Sequence, residues 1–411
     1  MTLTSEACTA SSASRGKPLG GTVAERLGRI TPIVDDLRAA DPAAERDRVL
    51  QYDAVNALHR TGILALRVPQ QYGGPGGSIR DVLSAVIQIA SGSSNVAQAL
   101  RAHFGFSERL LSNRATDAER AEWFPRINAG LIIGNAITDA RGRASGSSDT
   151  TVLPDSDGVL RLNGHKFYST GTLYADVIAV SAVDVDGNDA QVIVPTDRPG
   201  VELFDDWDGF GQRTTASGAS RFTDVEVASV EVTTVSDGNH LGHSTTFLQL
   251  YLAAVAAGIA AAVRTDAVDY VRLRARPTAH PLAAKAAGDP FVLHAVGEIG
   301  TAAAAAEALV LAAADVLDAL VDAGAQSDTD ALAQAAVAVA QAQLAAERLT
   351  LDSAQRLFDT GGASATSRKQ NLDRHWRNVR TVASHNPLDY KAHAVGNYLV
   401  NGTTPPANGY F

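Results

Sequence analysis

The chain has 411 residues, 45% hydrophobic and 19% charged, an ordinary globular composition with length for two or three domains. A formal charge of −10 with no basic stripe argues against a nucleic-acid partner. The single cysteine, Cys8, excludes an internal disulfide and a cysteine zinc cluster, and fits a reducing, cytoplasmic setting.

Residues 1–20 are small and polar, lack a basic run followed by an apolar one, and read as a disordered tail, not a signal peptide. Residues 21–130 read as helical. VAERLGRITPIVDDLRAAD and AERDRVLQYDAVNALHRTG carry apolar residues at three- and four-residue spacing, and Gly62 closes the second helix. LALRVPQQYGGPGG then gathers Pro69, Gly73, Gly74, Pro75, Gly76 and Gly77 into a turn that no helix crosses. Two more helices follow, broken at Gly92. The second carries Gln98, Ala102 and His103, with Phe104 and Phe106 beside them.

Between 131 and 240 the texture becomes strand-like: alternating, β-branched segments are separated by Asp-Gly and Asn-Gly turns, which gives a β domain of roughly 100 residues. It contains Asn135-Ala136-Ile137-Thr138-Asp139, then Ser145-Gly146-Ser147-Ser148-Asp149, Lys166-Phe167-Tyr168-Ser169-Thr170-Gly171, Asp206-Trp207, and Gly211-Gln212-Arg213-Thr214-Thr215-Ala216-Ser217-Gly218.

Residues 241–411 read as helical again, over 242–275, 289–323, 328–360 and 371–383, with one more helix after Pro387. Their alanine content favours helix and close helix approach, and the apolar runs near 250–263 and 301–318 read as packed helix, not membrane spans. Arg276 precedes Pro277 at the end of the first of these helices, and Phe358-Asp359-Thr360-Gly361-Gly362 ends the third. In the last stretch, Arg374, His375, Arg377, Asn378 and Thr381 share a polar helix face. Pro387 forbids helix just before it, which leaves His385 at a helix C-terminus, where the dipole raises an imidazole pKa.

DRHWRNVRT followed by HNP, YK and VGNYLVNG resembles the C-terminal signature of the two-component flavin-dependent monooxygenases of the acyl-CoA dehydrogenase superfamily, the dibenzothiophene monooxygenase-like group. The VPQQYGG turn, the 135–149 and 166–171 segments and the 211–218 segment resemble motifs of the same superfamily in the same order. The resemblance implies an α+β acyl-CoA dehydrogenase fold: N-terminal helical domain (21–130), central β-barrel-like domain (131–240) and C-terminal four-helix bundle (241–411). It also implies a homotetramer or dimer. It places Thr138 and Asn135 at the pyrimidine edge of a flavin, Ser169 beside N5, Trp207 as a wall, and Arg276, Phe358 and Gly362 at the distal part of the cofactor. FMN and FAD both remain open. His103, Phe104, Trp207 and Phe247 are the expected substrate pocket, which points to a small aromatic or heteroaromatic substrate.

An acyl-CoA dehydrogenase, the alternative reading, needs a carboxylate base for the α-proton, yet no acid lies between Asp373 and Asp389; His385 is the titratable group there. A monooxygenase instead needs reduced flavin (FADH2 or FMNH2), O2, and a dry site in which a C4a-hydroperoxyflavin is held by hydrogen bonds. His385 and Ser169 are the expected catalytic residues for that chemistry. No GxGxxG follows a strand, so a separate NAD(P)H:flavin reductase is the expected partner. A non-catalytic helical assembly protein is the third reading, and predicts no flavin-dependent change.

Overall fold

The computed structural model describes residues 15–139, 149–234, 242–276, 282–407 and 411; most of the polar tail and residues 145–148 lie outside them. Six helices come first: α1 (Val23–Asp47), α2 (Tyr52–Thr61), α3 (Ile79–Gly92), α4 (Ser94–Ala99), α5 (Arg101–Leu110) and α6 (Asp117–Asn128). Capping boxes set three of the starts, pairing Thr22 with Glu25, Ser78 with Asp81 and Thr116 with Glu119. Gly62 caps α2 at φ 77°. The first break differs from the sequence reading. α1 runs through Pro42 and stops at Arg48, in the left-handed region at φ 56°. Tertiary bonds outweigh the helix-breaking tendency of Pro42: the Asn371 amide donates to Pro42 O (2.9 Å) and to Glu45 Oε2 (2.7 Å).

Nine strands follow: β1 (Ile133–Ala136), β2 (Thr138–Asp139), β3 (Thr151–Pro154), β4 (Leu160–Phe167), β5 (Val177–Val183), β6 (Asp189–Pro195), β7 (Val201–Leu203), β8 (Ser220–Val227) and β9 (Val232–Thr234). They form one mixed sheet in the order β7-β8-β4-β3-β5-β6-β9, with β1 parallel to β5 and β2 antiparallel to β4. Thr138 pairs with Phe167 and Asp139 with Lys166. The fully buried Lys166 ammonium lies 2.7 Å from Asp139 Oδ1 and also donates to Ile137 O and Ser181 Oγ, so the β2–β4 register is pinned by charge as well as by backbone.

Five helices complete the chain: α7 (His243–Leu273), α8 (Pro290–Asp322), α9 (Thr329–Arg356), α10 (Arg374–Val382) and α11 (Leu388–Asn401). α7, α8 and α9 pack on one another, while α10 and α11 lie against α9. α3 packs on α7 at Gly258, where a Cβ would fall 2.4 Å from Ala90 Cβ and 2.6 Å from Ile87 O. α7 is long and apolar enough to cross a membrane, but 83% of its apolar window is buried within the protein, as befits a core helix.

Two buried charge networks join the N-terminal helices to the last ones. Arg67 grips Glu108 through both carboxylate oxygens and donates to Gly77 O, while His243 Nε2 stands 3.1 Å from the same carboxylate. The Pro/Gly turn is thereby tied to α5 and to the start of α7. At the other network, Arg374 meets Asp41 and Asp266, His375 meets Asp266, and Arg377 pairs with Glu45. The polar face of α10 is therefore turned inward, onto α1 and α7.

Candidate active site

Three segments distant in sequence meet on the short helix α4. Ser93, extended at φ −148°, breaks the chain and caps α4. Leu100 keeps a helical conformation, so α4 runs almost directly into α5. The 211–218 loop is clamped from two sides. Gln212 Nε2 donates to Ser94 Oγ (3.0 Å), Thr214 N to Asn95 Oδ1 (3.0 Å), and Gln212 N to Asn378 Oδ1 of α10 (2.7 Å). The turn after β4 hangs on that loop: Ser169 N donates to Gly218 O and Gly171 N to Thr215 O. Gly171, at φ 78°, lies so close to α4 that a Cβ would fall 2.2 Å from Ala99 O.

This frame sets Ser169 at 0% exposure with its hydroxyl unpartnered among the described residues; Asn135 Oδ1 and Gln98 Oε1 are orphaned in the same way. Buried polar atoms are normally hydrogen-bonded, and a bound polar ligand could supply partners to these three. Tyr168, held at φ 56°, is 59% exposed and packs edge-on to Trp207 at 5.6 Å; Ile137 is 56% exposed and Thr138 is exposed. Trp207 is anchored by its Nε1–H to Gly211 O.

His385 reaches the site from the turn after α10. Its Nδ1 faces Val382 O (3.1 Å) and Thr381 O, and its Nε2 lies 3.4 Å from Gln98 Nε2. Carbonyls only accept, so Nδ1 carries the hydrogen, and Nε2 is an acceptor in the neutral ring. His385 is exposed to solvent in the single chain. Burial by the surrounding protein, reinforced by the Arg101 charge, pushes its pKa down to about 4, against the carbonyls that favour the cation. The upward shift expected from the helix end is therefore overturned.

Other expectations are corrected too. His103, Phe104 and Phe247 have no exposed surface. His103 Nε2 bonds to Leu64 O (2.9 Å), and Phe104 and Phe247 both pack on Tyr251, whose hydroxyl donates to Ala97 O. They are the core beneath α4, not the lining of a pocket. Arg276, Phe358 and Gly362, expected at the distal part of the cofactor, stand apart from Ser169 within the chain. They stand beyond the far end of α7, where Tyr270 OH meets Ser364 Oγ and the Tyr270 ring abuts Gly361. At ~1.5 Å per residue, the end of α7 is roughly 30 Å from the level of Tyr251 and α4. The site is also not sealed, since Tyr168 and Ile137 open to solvent in the single chain.

Sequence reading passed over Arg101 and Asn378. Arg101 sits one turn beyond Gln98 on the same helical face; the three-residue spacing was a readable signal. Asn378 was visible on the polar face of α10, but nothing in the sequence paired it with Gln212. The set fits a flavin ring, which needs hydrogen-bonding groups at its polar edge, a hydroxyl or amide beside N5 and apolar walls. Ser169, Asn135 and Thr138 supply the polar groups, and Ile137, Tyr168 and Trp207 the walls.

Models of the acyl-CoA dehydrogenase N-terminal and C-terminal domains match residues 29–131 and 250–390. A probable FMNH2-dependent monooxygenase, SfnC, of Pseudomonas putida is 32% identical, the match covering 92% of this chain and 93% of that protein. Dibenzothiophene monooxygenase of Mycolicibacterium goodii is 30% identical over 98% of this chain and 99% of its own. The crystal structure of FMN-bound TdsC from Paenibacillus sp. A11-2 superposes with a TM-score of 0.85 at 28% identity, covering 94% of this chain and all of that one; a second crystal of that protein holds FMN and indole.

Proposed function

The chain belongs to the acyl-CoA dehydrogenase family, in its flavin-dependent monooxygenase branch, and from that premise we propose how its site works and on what. It is an oxidoreductase that uses reduced flavin and O2 to oxidise a small molecule. We infer that the flavin is FMNH2, delivered in the cytoplasm by a separate NAD(P)H:flavin reductase, and that the substrate is a small aromatic or heteroaromatic sulfur or nitrogen compound. These inferences rest on the FMN and indole of one relative and the dibenzothiophene of another.

The observation that carries the site assignment is the convergence of Ser169 and His385 on α4. The turn that carries the orphaned Ser169 packs on α4 where Gly171 meets Ala99, and the imidazole touches α4 through Gln98. Bound reduced flavin supplies the electrons and the carbon at which O2 is activated. Ser169 would orient its ring, and Asn135 and Thr138 would hold its polar edge. His385 would offer its one acceptor nitrogen, Nε2, to the bound oxidising group in place of the 3.4 Å Gln98 contact. No carboxylate is near that nitrogen among the described hydrogen bonds, which disfavours the thioester-desaturating alternative.

The open rim and the distance from α4 to Arg276, Phe358 and Gly362 support a homotetramer, or at least a dimer, in which one copy closes the site of another. The test is to supply photoreduced FMN and air to the protein with dibenzothiophene and with indole, then quantify oxygenated product and H2O2. Oxygenated product at the expense of H2O2 is expected. Quantitative H2O2 with thioester desaturation in its place would overturn the reading.

A further inference from the structure

We propose that the substrate carries an acidic group, a carboxylate or sulfinate, and that Arg101 is its partner beside His385. This inference rests on the monooxygenase reading and narrows its substrate class. Arg101 lies three residues after Gln98, across a junction that keeps helical backbone, so the two side chains share a face. Gln98 touches His385 on that face. Arg101 Nε donates to Leu248 O (3.2 Å), which fixes one edge of the guanidinium. Among the described residues, no hydrogen bond engages its two terminal nitrogens and no carboxylate comes within ion-pair distance of it.

The other deep-set arginines behave differently. Arg67 has Glu108, Arg374 has Asp41 and Asp266, Arg377 has Glu45, and Arg26 has the carbonyls of Gly21 and Gly62. Arg101 is half-buried, not sealed. Its surroundings sharpen the field. Besides Arg101, the charge-bearing or titratable groups there are His385, Tyr251, Lys391 and Glu347; Lys391 and Glu347 lie behind the wall, nearly or fully buried. Desolvation lowers the Arg101 pKa to about 10, in keeping with a guanidinium that has no carboxylate beside it. A planar fork with two free N–H edges matches a two-oxygen anion, and withdrawal from water strengthens the pairing. A substrate bound so would lie beside His385, which touches Gln98 one helical turn before Arg101.

The test uses matched acidic and neutral probes, benzoate against benzamide and benzenesulfinate against methyl phenyl sulfone, titrated calorimetrically into the full-length protein with and without FMN. The acidic member of each pair should bind at least tenfold tighter. Arg101→Gln should abolish that preference and Arg101→Lys should retain part of it, with the FMN affinity, read by fluorescence quenching, shifted less than threefold. Equal binding of the acid and neutral members by the native protein, or a preference that survives Arg101→Gln, would overturn the proposal. So would an Arg101→Gln variant whose main loss is FMN affinity. Failure of the monooxygenase reading is seen separately, as absence of product from reduced FMN and O2 with binding preferences intact.

Discussion

Gln98 Nε2 stands 3.4 Å from His385 Nε2, joining a helix of the N-terminal third to the turn that follows α10. The amide donates and the imidazole accepts, because Nδ1 is committed to Val382 O and Thr381 O. His385→Ala removes the acceptor. Coupled product should fall by about 10²-fold, the low end for loss of a positioned base, while reduced flavin is still consumed and emerges as H2O2. Since the folded pKa is about 4, His385 is neutral through the physiological range, and it should impose no acid limb on coupled turnover above about pH 5. A limb at pH 6–7 that vanishes in His385→Gln would show the ring titrating normally and refute the assignment.

Ser169→Ala separates binding from folding. The hydroxyl is buried and unpartnered, so deleting it relieves an unpaired polar atom and should leave the melting temperature unchanged or slightly raised. The same deletion removes a hydrogen bond worth ~1 kcal/mol to a bound flavin, so FMN affinity should weaken about fivefold to tenfold. Loss of stability with unaltered FMN affinity would assign Ser169 to the scaffold alone.

His103 makes a stability prediction with a definite sign. Burial depresses its pKa from the ordinary ~6.5 to about 4. Below pH ~6.5 the unfolded chain binds a proton that the folded chain refuses. Stability is therefore lost as pH falls from ~6.5 towards 4, by up to ~3 kcal/mol. Glutamine can replace the Nε2–H donor to Leu64 O without titrating. Urea unfolding should find wild type and His103→Gln alike at pH 7, with wild type losing more stability by pH 4.5. Parallel losses would show that His103 charges freely in the fold.

Much of this arrangement was legible in the sequence because local chemistry wrote it there. Gly62 terminated its helix as read, the helix–strand–helix order followed the hydrophobic period, and Pro387 stopped α10 and left His385 in a turn. What escaped was written in tertiary contacts. The helical pattern looked broken after residue 41, but Asn371 donates to Pro42 O and Glu45 from 329 and 326 residues away and holds α1 together. His103 looked like a pocket residue, but which face of a helix meets the core and which the cleft depends on the partner helix, here α7. The pKa of His385 looked dipole-dominated, but desolvation and the Arg101 charge lower it.

Asn378 tests whether α10 positions the imidazole or merely packs. Its Oδ1 accepts from Gln212 N, at a residue held at φ 53°, and a Cβ on the neighbouring Gly211 would meet Arg377 O at 2.1 Å. α10 and the 211–218 loop are thus locked together, and Ser169 hangs on that loop through Gly218 O. Asn378→Ala orphans a buried N–H and should cost ~1–3 kcal/mol. Because the bond lies between the Ser169 frame and the helix leading to His385, the damage should reach both. FMN affinity should fall, and the fraction of turnovers ending in H2O2 should rise, although Asn378 touches neither group. A stability loss of that size with FMN affinity and coupling both unmoved would show that the loop and the imidazole are positioned independently, and the clamp would then be structural only.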